Sequence, residues 1–209
     1  IIYSIFNIVF TQNGDAMEHY LKGEYAKLND NLESAIMEFQ KALILDSNSV
    51  IILNQIANCY KMMQDTSNAS KYYLNAFYNS NYSVENGIEI LDYFDSVKDI
   101  QNSRLILDSL KKHNPFNIEL KYRSVRYFYI DKNYEKLIDE YKEIYFLDRD
   151  NKEIIPKITE IGIALNKQEY LEKTLLDIAN LDSTSFQPLL ALAGLKIIKE
   201  QYIDAILYI

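Results

Sequence analysis

The apolar positions of this chain return on a fixed beat. Ala35, Phe39 and Ala42 are spaced i, i+4 and i+7, one face of an amphipathic helix. Adding 34 residues repeatedly brings that face back as Ala69/Tyr73/Ala76, Ser103/Leu107/Leu110, Leu137/Tyr141/Ile144, Leu171/Leu175/Ile178 and Ala205/Ile209. An earlier apolar run precedes each stripe, such as Leu53, Ile56, Ala57 and Tyr60, or Ile90, Leu91 and Phe94, so each period predicts two helices. Short polar links separate the two: Asn29-Asp30-Asn31, Gln64-Asp65, Lys98-Asp99, Asp131-Lys132-Asn133 and Glu200-Gln201. Between periods, Asp46, Ser80, Asn114, Asp148 and Asp182 share one place. Their side-chain oxygens are expected to accept from the first N–H groups of the following helix. Pro115 follows Asn114, and Pro156 and Pro188 fall in the first turn of a predicted helix, where a missing N–H costs little.

A fixed period of this kind means helical hairpins that cannot bury their apolar faces alone and stack on their neighbours. The expected units are 16–49, 50–83, 84–117, 118–151, 152–185 and an incomplete 186–209. Their residues resemble the tetratricopeptide repeat (TPR) family, whose signature places a small residue in the first helix and Ala-x3-aromatic-x2-Ala in the second. The first unit carries it as Gly23, Ala35, Phe39 and Ala42, the second as Ala57, Tyr60, Ala69, Tyr73 and Ala76, and the third has the family proline at Pro115. Later units depart from it: Leu137 and Leu171 replace the small residue, Gly162 stands where an aromatic is usual, and Arg149 replaces proline. The resemblance implies an all-α, right-handed solenoid of antiparallel helix pairs, a TPR-like superhelix. It also implies a concave surface made by the first helices, with which the family grips peptides or helices of partner proteins.

Composition narrows the function. With 5 Gly and 3 Pro, the chain has few of the turn formers an all-β fold needs. A net charge of -8 opposes phosphate neutralisation, so nucleic acid is an unfavourable partner. A pentatricopeptide array, which binds RNA, is opposed both by this charge and by its 35-residue period. The single Cys59 excludes an internal disulfide and a thiolate zinc site, and it is expected to pack. His19 falls at a packing position and His113 in an inter-repeat turn. No phosphate loop, nucleophile elbow or Cys-x-x-Cys is present, so the sequence predicts no catalytic, metal or cofactor site.

The apolar, uncharged run 1–10, with the polar stretch 11–15 behind it, supports two readings. It fits the second helix of a preceding repeat, and it fits a truncated secretion signal cleaved near Gln12. The lack of charge favours the signal, which would place the array in a periplasm or cell envelope rather than the cytoplasm. Ten residues are too few to span a bilayer. Ile209 falls inside the second helix of the last unit, so the chain is expected to continue and its open end is a candidate for self-association.

The phase of the repeat also names the residues expected on the concave face. They are Asn54, Asn58 and Lys61 in the second unit, Glu85, Glu89, Asp92 and Asp95 in the third, and Tyr122, Arg123, Arg126 and Tyr129 in the fourth. Asn amides suit a peptide backbone and Arg a carboxylate. The competing expectation is that the acidic third and basic fourth units pair with each other. Glu89 and Glu119 stand where capture of a chaperone's C-terminal carboxylate needs neutral or basic groups, which disfavours that ligand. The expected role is a non-catalytic scaffold for a partner protein; the alternative is the recruiting part of a larger enzyme.

Overall fold

The computed structural model describes the backbone of residues 2–209 and the side chains from residue 14 onward. The apolar opening 1–10, and with it the choice between a signal and a preceding helix, lies outside the described side chains. Among the described residues twelve helices follow one another: α1 (Ile2–Leu28), α2 (Leu32–Leu45), α3 (Val50–Met62), α4 (Thr66–Asn79), α5 (Val84–Ser96), α6 (Ile100–His113), α7 (Ile118–Ile130), α8 (Tyr134–Leu147), α9 (Ile154–Ala164), α10 (Gln168–Leu181), α11 (Gln187–Ile198) and α12 (Tyr202–Ile206). No strand occurs among the described residues. The chain divides into two compact units, Ile1–His113 and Asn114–Ile209, each built of antiparallel helix pairs.

The same hairpin closes every pair. Residues 30, 64, 98, 132, 166 and 200 all hold a left-handed φ between 55° and 61°, and none is glycine. Each terminates its first helix in a Schellman motif, in which the next residue's N–H reaches back five positions: Asn31 to Ala26 O, Asp65 to Tyr60 O, Asp99 to Phe94 O, Asn133 to Phe128 O, Lys167 to Gly162 O and Gln201 to Lys196 O, at 2.7–3.0 Å. The residue that completes this motif also opens the second helix. Asn31, Asp65, Asp99 and Asn133 accept from the N–H three positions on, so one side chain serves two helix ends.

Capping therefore falls on a different set of residues from the sequence expectation. Asp46, Ser80, Asp148 and Asp182 are C-caps, whose backbone N–H groups donate to Ala42, Ala76, Ile144 and Ile178 carbonyls. Four to six residues separate each of these helices from the next, which puts the N-caps at Ser49, Ser83, Glu153 and Phe186, none with a side-chain cap bond, whereas Asn117 before α7 makes one.

The repeated apolar face is the core. In the first unit Ala35, Phe39, Ala42, Ile52, Ile56 and Cys59 form one cluster, with Phe39 and Cys59 fully buried. In the second, Tyr145, Ile158, Leu171, Leu175, Ile178 and Leu192 do the same. Gly162 meets Leu171 there: a Cβ on Gly162 would come within 2.8 Å of the Leu171 Cβ. The missing aromatic and the oversized Leu171 thus explain each other, because a large residue on α10 fills space left by a small one on α9. Two stripe positions differ from expectation. Tyr141 is half-buried, and Ile209 is 86% exposed because α12 ends at Ile206, short of it.

Candidate functional site

Two candidate residues of the first unit, Asn54 and Asn58, are engaged with neighbouring helices. Asn54 on α3 donates through Nδ2 to Asn86 Oδ1 on α5 at 2.5 Å, while Asn54 Oδ1 and Asn86 Nδ2 are buried without a partner. Asn58 Oδ1 accepts from the Tyr73 hydroxyl at 2.7 Å. Lys61 is exposed, with its Nζ 5.9 Å from the centroid of the Tyr93 ring. Tyr93 itself lies 4.4 Å from the Tyr73 ring and donates to Thr66 O at 3.3 Å. On α5, Glu85, Glu89 and Asp92 are exposed and Asp95 is half-buried. The two Asn amides thus spend a donor and an acceptor on neighbouring helices.

The second unit brings Tyr122, Arg126 and Tyr129 together. These three, spaced i, i+4 and i+7 on α7, line one wall of a groove of about 510 Å³. Lys157, Glu160 and Ala164 on α9, at i, i+3 and i+7, line the other, and Leu137 and Tyr141 of α8 form the floor. Arg123 lies off this groove and pairs with Glu119 one turn earlier on α7, at 3.1 Å. Sequence reasoning stopped one repeat short. Adding 34 to Arg123 and Arg126 gives Lys157 and Glu160, so the same phase reaches the opposite wall.

The groove is apolar with an unusual polar trim. Tyr122 is 41% exposed and Tyr129 60%. Among the described residues none hydrogen-bonds the hydroxyl of Tyr122, Tyr129 or Tyr141. Tyrosines elsewhere in this unit contrast with them: Tyr145 donates to Asp182 Oδ2 and Tyr170 to Asp139 Oδ1, both at 2.7 Å. Burial raises the pKa of both Tyr122 and Tyr141, so these two hydroxyls keep their protons at neutral pH and can donate. Lys157 bonds Glu160 at 2.9 Å, and that bond raises its pKa. The set offers an aromatic surface and directed polar groups, and no nucleophile with an adjacent base.

Other reactive residues serve structure. His19 is half-buried and bonds Glu38 at 2.7 Å across α1 and α2. His113 closes α6 as its last residue, where a turn was expected; its ring stacks on Tyr82 at 3.7 Å and its Nδ1 lies 2.8 Å from Ser109 O. Burial pushes the Cys59 thiol up, away from reactivity. Among the described residues no three His, Cys, Asp or Glu converge as metal ligands, and no helix is long and apolar enough to cross a membrane.

No protein-family model and no curated protein matches this chain. Solved structures do. A tetratricopeptide repeat protein from Parabacteroides merdae is similar at a TM-score of 0.56 and 11% identity, over 93% of this chain and 77% of that one. YrrB, described as a TPR protein with an unusual peptide-binding site, is similar at 0.51 and 12%, over 84% and 90%. A double mutant of MamA RS-1 is similar at 0.51 and 11%, over 80% and 94%. At such identities the likeness defines the fold: a TPR-like array of helical repeats.

Proposed function

We propose that this chain is a non-catalytic protein-binding scaffold and that the groove between α7 and α9 receives a segment of its partner. One observation carries the reading: among the described residues, three hydroxyls without a protein partner, those of Tyr122 and Tyr129 on α7 and of Tyr141 on α8, line a largely apolar groove. A tyrosine whose hydroxyl has no protein partner contributes to binding at little entropic cost, since only two side-chain torsions need to be fixed. The peptide-binding site in the description of YrrB belongs to that protein, but it agrees with a role of this kind for the fold.

Selection of binders from a displayed peptide library tests it. Affinities of the selected peptides are measured for the intact chain and for Tyr129→Ala and Arg123→Ala. Tyr129→Ala is expected to weaken binding about tenfold or more, a loss typical of a central anchor, whereas Arg123→Ala, off the groove, is expected to change it little. Binders indifferent to Tyr129 would refute the assignment of this groove.

A further inference from the structure

We infer that the segment received by this groove is uncharged and apolar, lies extended, and is held through its main chain. The inference rests on the peptide-binding reading and adds the chemistry of the ligand.

Charge gives the first reason. Among the described residues, the charged groups lining the groove are Arg126, Lys157 and Glu160. Lys157 bonds Glu160 at 2.9 Å, and Arg126 has an interaction of its own within the protein. A charged ligand side chain would have to divert one of them, exchanging one exposed ion pair for another with little net gain. It would also lose water against Val125, Ile130, Leu137, Ile161, Ala164 and Leu165. An apolar side chain gains from that same surface.

The hydroxyls give the second. Those of Tyr122, Tyr129 and Tyr141 can each donate and accept, and among the described residues none has a protein partner. A ligand that covers them has to replace displaced water in both roles, because a covered hydroxyl left unpaired costs more than an average bond contributes. An extended main chain does so, since each of its residues offers a free N–H and a free C=O. A docked helix has those groups paired internally and brings only side chains to the hydroxyls. Length gives the third. Tyr122 and Tyr129 are seven residues apart on α7, a rise of about 10.5 Å. An extended segment covers that distance in about three residues at about 3.3 Å each, with alternate side chains on one face. That face meets the apolar floor, and the peptide groups pass the tyrosine rims.

Selection from a displayed library of random peptides, run on the intact chain and on Tyr129→Ala, tests this. Binders lost with Tyr129→Ala are sequenced, and the tightest is synthesised with blocked ends, labelled and measured by fluorescence anisotropy. These binders are expected to share a central stretch with apolar residues at alternate positions and without Asp, Glu, Lys or Arg. Glu or Lys at a central apolar position should each weaken the synthetic peptide about tenfold or more, and its affinity should change little with salt. Methylation of a central backbone nitrogen removes one donor and should weaken it several-fold. Y122F/Y129F, whose folding is checked by circular dichroism, keeps both rings and removes two hydroxyls, so it should weaken the peptide about tenfold or more. The ligand class is overturned, with the groove left in place, if Tyr129-dependent binders share a charged residue in that stretch or show the i, i+3, i+4 spacing of an amphipathic helix. Undiminished binding by the methylated peptide, or to Y122F/Y129F, overturns it as well. Failure of the groove itself would look different: no binder would depend on Tyr129.

Discussion

Lys132 holds a φ of 56° with a side chain attached, as do its equivalents Gln64 and Lys98 at 61° and 60°. For a residue with a Cβ the left-handed region costs about 1–2 kcal/mol, part of which glycine would return as lost chain entropy. Lys132→Gly is accordingly expected to raise stability by about 0.5–1 kcal/mol, read as a higher urea midpoint with an unchanged slope. Nothing in the sequence announces this strain, because a polar link of Asp, Lys and Asn reads as an ordinary turn. Asp182 makes a second residue-scale prediction. Its carboxylate accepts from the Thr184 hydroxyl at 2.6 Å and backbone N–H at 3.1 Å, and from Tyr145 at 2.7 Å, with Arg149 at 3.9 Å. The Thr184 and Tyr145 bonds lower its pKa. A depressed carboxylate stabilises the fold above its unfolded pKa of about 3.9, and that contribution is lost as pH falls through the folded value. Urea titrations at a series of acidic pH values should show wild type losing its advantage over Asp182→Asn in that window; a constant difference would assign Asp182 a role that does not titrate.

Each second helix from α2 to α8 opens on an Asn or Asp that bonds the N–H three residues on, but α10 opens on Lys167 without such a bond. Lys167 pairs instead with Glu135 at 2.9 Å, both partly exposed, an interaction worth about 0–1 kcal/mol. Lys167→Asp would supply the missing cap and place a negative charge at a helix N-terminus, for a net gain of about 1 kcal/mol. Thermal unfolding followed by circular dichroism would show it as a rise in the midpoint; no rise would mean that the Glu135 pairing, or repulsion between two acids, outweighs the cap. The helices themselves were legible in the sequence, because a stripe that recurs every 34 residues specifies both their phase and their buried face. Ala35, Ala69, Ser103, Leu137, Leu171 and Ala205 are all at most 3% exposed. Caps were less legible: Asp46 and its equivalents are suited to either end of a helix, and only backbone geometry shows that they close one. Half of the groove was legible too. Tyr122, Arg126 and Tyr129 follow from the phase of α7, whereas Tyr141 looks like a core residue at a core position, and only its half-buried ring reveals that it forms the groove floor.

At the scale of the whole chain, the side-chain bonds of the second unit join near neighbours: Lys142 reaches Asp177 and Tyr145 reaches Asp182, spans of 35 and 37 residues. A chain held this way behaves as a row of coupled modules, so damage is felt most by adjacent ones. Phe39 is fully buried in the first unit, and Phe39→Ala is expected to cost about 3–5 kcal/mol there. Hydrogen exchange should then show protection lost first in α1 to α3 and retained longest in α9 and α10; uniform loss would mean that the two units unfold as one. The recurring left-handed residue has a further consequence for how such a chain can change over time. A single insertion within any helix would rotate all residues beyond it by about 100° around the axis, swinging core residues into water and solvent residues inward. Substitution leaves that clockwork running and insertion stops it. Many different sequences satisfy that constraint, so proteins only 11–12% identical can share the fold.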